Sequence, residues 1–126
     1  MSKEIIQTGH APAPIGPYSQ AVKTGNLLFV SGQVALVPGT NDFANADLAQ
    51  ETHQVMKNLL AILTEAGLGF GNVVKTTIFL SDMTFFTSVN EIYAGYFTSE
   101  FPARETVAVK GLPKNANVEI SVIAAY

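Results

Sequence analysis

The sequence contains no cysteine, which removes disulfides, thiolate metal sites and a cysteine nucleophile from consideration. Charge is also scarce: 13% of residues are charged, and the seven Lys and Arg are scattered and outnumbered by ten acids, for a formal net charge of −3. Without a basic stripe there is no field to attract a phosphate backbone, so nucleic acid is not an expected partner. No apolar run is long enough to span a membrane. Met1-Ser2-Lys3-Glu4 passes through only two isoleucines into polar, proline-rich sequence, so no signal peptide is read there. The expectation is a soluble, cytoplasmic protein.

What is present suits one domain over residues 1–126, long enough to bury roughly two-thirds of its unfolded surface. With 48% hydrophobic residues and few charges, disorder is excluded on composition, and surplus apolar surface points to self-association. Residues 7–17 hold three prolines and two glycines and read as an irregular lead-in. Residues 18–23 and 27–33 flank Thr24-Gly25-Asn26, which predicts a hairpin. The second run is apolar on both faces and reads as a central strand covered twice, although periodicity alone leaves a buried helical fragment open. Residues 47–66 have helical spacing, with Leu48, Val55, Met56, Leu59, Leu60, Leu63 and Ala66 on one stripe. Gln50, Glu51, Gln54, Lys57 and Asn58 are expected mostly off that stripe, Asp47 is a candidate N-cap, and Gly67 a candidate terminator. Residues 73–80 read as a strand. Ser81-Asp82-Met83-Thr84 caps a second helix to about Phe97, with Gly95 weakening its last turn.

Pro102 suits the entrance of a strand beginning near Ala103, in which Arg104, Thr106 and Ala108 face one way and Glu105, Val107 and Val109 the other. Residues 118–124 form a closing strand, with Val118, Ile120 and Val122 opposed to Glu119 and Ser121. The order predicts an α+β fold: a mixed sheet with two helices packed on one face. The valines of the last two strands are expected beneath the helices, leaving Arg104, Thr106, Glu119 and Ser121 on the uncovered face or at its rim. A cyclic oligomer packing such faces together would leave clefts between subunits. On residue chemistry alone, Arg104 reads as a structural ion pair with Glu105 or Glu119, or as a ligand-binding guanidinium. Ser31 has no His–Asp arrangement to activate it, and His10 and His53 lack metal-ligand spacing, so no metal site is expected. Phe85, Phe86, Tyr93, Tyr96 and Phe97 read as core, and Gly67, Gly69 and Gly71 form no phosphate loop.

The chain resembles the RidA-type reactive-intermediate deaminases along nearly its whole length. The resemblance rests on Pro14-Ile15-Gly16-Pro17-Tyr18-Ser19-Gln20, Val30-Ser31-Gly32-Gln33, Val74-Lys75-Thr76-Thr77-Ile78-Phe79-Leu80, Val89-Asn90-Glu91-Ile92-Tyr93, Phe101-Pro102-Ala103-Arg104, and Leu112-Pro113-Lys114 with Val118-Glu119-Ile120. It implies a chorismate-mutase-like (ferredoxin-like) unit forming homotrimers with ligand clefts between subunits. It also implies cofactor-independent hydrolysis of 2-imino acids, such as 2-iminobutanoate and 2-iminopropanoate, and their enamine tautomers to 2-oxo acids and ammonia. Arg104 would bind the substrate carboxylate as a two-donor fork, Glu119 would position and polarise the attacking water, and Tyr18 would close the pocket. The Gly32 carbonyl would receive the substrate nitrogen's hydrogens, Asn90 and Ser31 would line the wall, and Thr106 would add a contact on the carboxylate side.

Three positions depart from the family's usual pattern. Thr106 stands where some members carry cysteine, which rules out thiol-dependent regulation. Glu105 stands where a small residue is more usual, and is expected to point away from the arginine, beneath a helix end or at the rim. Phe85 replaces a commonly polar residue. Two other functions compete with deamination: a trimer that binds small carboxylates such as 2-oxo acids without turnover, and, least supported by the acidic balance, a ribonuclease or translation inhibitor.

Overall fold

The computed structural model describes residues 2–126; Met1, the first residue of the stretch read for a signal peptide, lies outside them. In chain order the elements are β1 (Glu4–Ile6), β2 (Ala21–Thr24), β3 (Leu27–Gln33), α1 (Leu48–Glu65), β4 (Val73–Leu80), α2 (Phe86–Ala94), β5 (Ala103–Ala108) and β6 (Val118–Ala125). The strands form one sheet in the order β1-β2-β3-β6-β4-β5. All pairings are antiparallel except β4 with β5. The two helices cover one face, so the α+β layering expected from the pattern is present.

Helix α1 starts where a side chain can replace the missing intrahelical acceptor: Asp47 Oδ1 accepts the Gln50 N–H at 2.7 Å. It ends before Gly67, whose φ of +80° a side chain would disfavour. The buried stripe differs from the expectation. Leu60 is 39% exposed, Ile62 is fully buried, and Glu51, Thr52 and Asn58 lie inside. These polar groups are tolerated because each has partners; the Asn58 amide, for example, donates to the carbonyls of Val34 and Leu36 at 3.0 and 2.9 Å.

The remaining differences lie at element ends. Helix α2 stops at Ala94 with Gly95 as its C-cap, short of Phe97, and is preceded by a single 3-10 turn, Met83–Phe85, capped by Asp82. Strand β1 is three residues long, too short to carry a periodic signal, and pairs with β2 through Ile5↔Val22. Tyr18 to Gln20 stay outside β2 because the Gln20 side chain is turned inward onto the lead-in. Its amide donates to the carbonyls of Thr8 (3.0 Å), Ala11 (3.3 Å) and Pro12 (2.9 Å), and its oxygen accepts the Thr8 N–H at 2.7 Å.

Register decides the faces. Ala21, Val30, Val122, Thr76 and Arg104 are partnered across five strands and so share the helix-covered side, as do Gln33, Ile120, Ile78 and Thr106. Glu119, Phe79 and Val107 form a row on the opposite, open face. The valines of β6 therefore lie beneath the helices as expected, but those of β5 do not: Val107 is 43% exposed. The expectation that Arg104 and Thr106 share the open face with Glu119 is overturned. Parallel pairing aligns Arg104 with the buried Thr76, and alternation then turns Val107 outward. Strand β3 is likewise covered on one side only, with Phe29 42% exposed.

The helix packing yields a discriminating test. Leu59→Ala should cost about 2–5 kcal/mol in urea unfolding, because its cavity opens under the sheet. Leu60→Ala should stay within about 0.5 kcal/mol.

Candidate functional site

The positions singled out in the sequence separate into two groups on opposite faces of the sheet. The first surrounds Arg104. Strand β5 presents its guanidinium to α2, where Nη1 donates to Asn90 Oδ1 at 2.7 Å. The guanidinium carbon lies 5.2 Å from the Tyr93 ring centroid and 5.8 Å from that of Phe86, so aromatic faces stabilise the charge. Tyr93 is fixed in turn: its hydroxyl donates to Thr76 Oγ1 at 3.0 Å, and burial pushes its pKa up against the smaller opposing effects of that hydrogen bond and of Arg104.

Neither candidate ion-pair partner reaches the arginine. Glu105 points to the open face at the sheet's edge, where it meets Lys75 Nζ at 3.2 Å and accepts from Thr77 Oγ1 at 3.3 Å. It is not beneath a helix end, since β5 is an edge strand whose outward side the helices do not reach. Asn90 is thus the sole hydrogen-bond partner of the Arg104 side chain among the described residues, which leaves most of its five donors free. Those donors face a cavity of about 410 Å³ lined by Asn90, Tyr93, Ala94, Phe101, Pro102 and Arg104. Two residues along the same face, Thr106 Oγ1 is buried without a hydrogen-bond partner. Thr106 is outside the lining of that cavity, whose charged group is the guanidinium with most of its donors unpaired.

The second group surrounds Glu119. A cavity of about 100 Å³ is lined by Tyr18, Gly32, Glu119 and Lys114, with Pro12, Ile15, Leu36 and Pro113 among its apolar walls. Gly32 lies at a β-bulge: β3 advances from Val30 to Gln33 while β6 moves only from Val122 to Ile120. The bulge brings the glycine onto the Glu119 carboxylate so closely that a Cβ there would lie 2.9 Å from Cδ. A side chain at position 32 would have to displace the Glu119 carboxylate from where it lies. Glu119 accepts no hydrogen bond from the described residues, and desolvation raises its pKa above the ordinary glutamate value.

Tyr18 is half exposed at the cavity edge, its hydroxyl accepting the Ile15 N–H at 3.4 Å. Ser31 does not line either cavity. Its hydroxyl donates to the Ser19 carbonyl at 2.6 Å and its N–H to Gln20 O at 2.9 Å, tying the Tyr18 segment to β3. Arg104 and Asn90 therefore line one cavity, Thr106 shares their face of the sheet but lies outside that lining, Tyr18, Gly32 and Glu119 line the other cavity, and the two share no lining residue. Sequence reasoning missed the polar supports Gln20 and Asn58 and the ring contacts of Tyr93. Among these, only Gln20 beside the proline-rich run carried a local signal, as an amide next to backbone that cannot form a ladder.

The chain matches the family model described as Endoribonuclease L-PSP over residues 8–126. It is 48% identical over 124 residues to Reactive Intermediate Deaminase A, chloroplastic, of Arabidopsis thaliana, covering 98% of this chain and 66% of that protein. It is 44% identical over 122 residues to human 2-iminobutanoate/2-iminopropanoate deaminase, covering 97% and 89% respectively. The crystal structure of the Rid-family protein YyfA from Yersinia pestis, described as of unknown function, superposes with a TM-score of 0.96 at 47% identity, over 99% of this chain and 100% of that one.

The raised Glu119 pKa fixes the sign of a stability effect. A carboxyl that binds its proton more tightly in the folded state stabilises the fold at low pH, and that contribution is lost as pH rises through the folded pKa. Glu119→Gln should therefore melt no lower than the native protein at pH 7, with its relative advantage shrinking on acidification, in thermal scans across pH 4 to 7 (about the range spanned by such shifts).

Proposed function

The chain belongs to the RidA-type family, and on that premise we propose that its single domain hydrolyses 2-imino acids, and their enamine tautomers, to 2-oxo acids and ammonia in clefts between the subunits of a homotrimer. The observation that carries this reading is the division of the site: a guanidinium without a carboxylate and a carboxylate without a cation stand on opposite faces of one protomer. A second copy placing its open face against the β5 edge would unite them. Phe29, Val107 and Ile5, each more than 40% exposed, supply apolar area for such packing. The names of the Arabidopsis and human relatives support the chemistry.

In the united cleft, Arg104 clamps the substrate carboxylate with two parallel N–H donors, which a lysine cannot do, and Thr106 Oγ1 supplies its unused hydrogen bond. The substrate nitrogen donates to the Gly32 carbonyl. Glu119 takes a proton from water as it adds to the imine carbon and passes it to nitrogen, giving a carbinolamine. It then takes the hydroxyl proton as the C–N bond breaks and delivers it to the departing nitrogen, so both water protons leave on ammonia and the oxygen stays as the 2-oxo group. Such imines already hydrolyse in water, so orientation and one base suffice. Tyr18 closes the edge and Asn90 holds the guanidinium in plane. Trimeric binding of a 2-oxo acid without turnover is the second reading, favoured if Arg104 retains affinity where no rate is found. The acidic balance of the chain leaves RNA cleavage without electrostatic support.

Native protein added to a system generating 2-iminopropanoate should accelerate ammonia release, and Arg104→Ala and Arg104→Lys, checked as intact oligomers, should lose on the order of a hundredfold in kcat/KM. No acceleration with several imino acids, alongside Arg104-dependent 2-oxo acid binding, would leave the binding reading. The acid limb of the rate profile should lie above the ordinary glutamate pKa, because Glu119 must be ionised to act. Co-refolding Arg104→Ala with Glu119→Gln subunits should restore about a quarter of native activity, since random trimers re-form that share of intact clefts. A site within one protomer would give no recovery.

A further inference from the structure

Glu51 faces inward from α1 and is only 1% exposed. A buried carboxyl is ordinarily paired with a cation or coordinates a metal. Among the described residues, however, the ion pair joins Lys75 to Glu105, and no cluster of His, Asp and Glu is arranged to hold a metal. Both Glu51 oxygens are instead directed to one residue: Oε2 accepts the Asn117 backbone N–H at 2.7 Å and Oε1 accepts its Nδ2 at 2.8 Å. Asn117 is held from its other side by Ser81, whose N–H donates to the Asn117 carbonyl at 3.0 Å and whose hydroxyl donates to Oδ1 at 3.1 Å.

Asn117 is a junction. Just before it, Lys114 and Asn115 have φ values of 56° and 57°, two successive side-chain-bearing residues in the left-handed region, which persist only where their flanks are held. Just after it, β6 begins and carries Glu119. Pro113, Lys114 and Glu119 line the same cavity, with Tyr18 and Gly32 opposite. The carboxyl of Glu51 thus connects the helix layer to both the turn and the strand that shape the Glu119 cavity.

We infer that Glu51 is a positioning residue for that cavity: through Asn117 it holds the strained turn and the start of β6 so that the Glu119 carboxylate stays enclosed beside Gly32. The inference rests on the reading of Glu119 as the base, but its test does not require turnover.

The experiment compares native protein with Glu51→Gln, Glu51→Ala and, as a control for simple loss of stability, Leu59→Ala, following the Glu119 side-chain carboxyl carbon by NMR across pH. Lys114 and Tyr18 are the other titratable groups lining the cavity and are tracked alongside. Freed from its anchor, the turn should admit water, so the Glu119 midpoint should fall towards the ordinary glutamate value in the Glu51 variants and stay in place in Leu59→Ala. With an imino-acid substrate, kcat should fall on the order of tenfold with KM within about twofold, as expected when a base is displaced and the Arg104 clamp is not. An unmoved midpoint in a folded Glu51 variant overturns the inference, whatever its melting temperature. If Glu51→Ala does not fold, Glu51→Gln and Asn117→Ala decide. A native protein that turns over no imino acid would refute the base assignment, and the midpoint would still decide the role of Glu51.

Discussion

The sheet is covered on one side only, and because side chains alternate, the register of β4 against its two neighbours governs everything built on it. Thr76, Ile78 and Leu80 are buried beneath the helices, and their partners across β6 and β5 must follow them inward. A shift of one residue in β5 would exchange Arg104 with Glu105. The acid would then lie against Asn90 and the Tyr93 ring, and the arginine would meet Lys75 on the open face. The apolar row of β4 and β6 fixes which side is covered, but β5 adds no buried apolar residue to it, so what such a slip would lose is the Arg104–Asn90 hydrogen bond and the ring contacts of the guanidinium.

The Glu119 cavity depends on a different device. Its walls are irregular backbone, which has no ladder to satisfy its N–H and carbonyl groups, and three buried polar side chains take that role. Gln20 fastens the proline-rich lead-in, Asn58 holds the Val34 and Leu36 carbonyls, and Glu51 with Asn117 holds the turn before β6. Two of the three come from α1, so one helix covers the core with its apolar stripe and secures the cavity walls with its polar positions. The deletion of any one would leave buried backbone groups unpaired, a cost of about 1–3 kcal/mol each.

The two half-sites are electrostatically unfinished in complementary ways. Aromatic faces and one amide stabilise the Arg104 guanidinium while leaving donors unspent, and enclosure without a cation holds the Glu119 pKa up. Both conditions suit the guest proposed for the site, which would bring a carboxylate to one group and a polarisable water to the other. Neither group forms an ion pair among the described residues, so its charge is not consumed in holding the fold together.

The sequence by itself determined the α+β layering, the strands Leu27–Gln33 and Val73–Leu80, the capped limits of α1 and the alternation of β5, because each is a local matter of periodicity, capping and turn chemistry. Motif order was enough to name Arg104, Glu119, Tyr18, Gly32, Asn90, Ser31 and Thr106. It did not place them. That Arg104 lies under α2 while Val107 turns outward, that Gly32 sits in a bulge against Glu119, that Ser31 serves the backbone, and that Glu51 is buried were decided by tertiary structure. Alternation says which residues share a face, but only the pairing partner says which face is covered. A buried carboxyl cannot be told from a solvated one until the segment supplying its donors, here Asn117 from the far end of the chain, has been brought alongside.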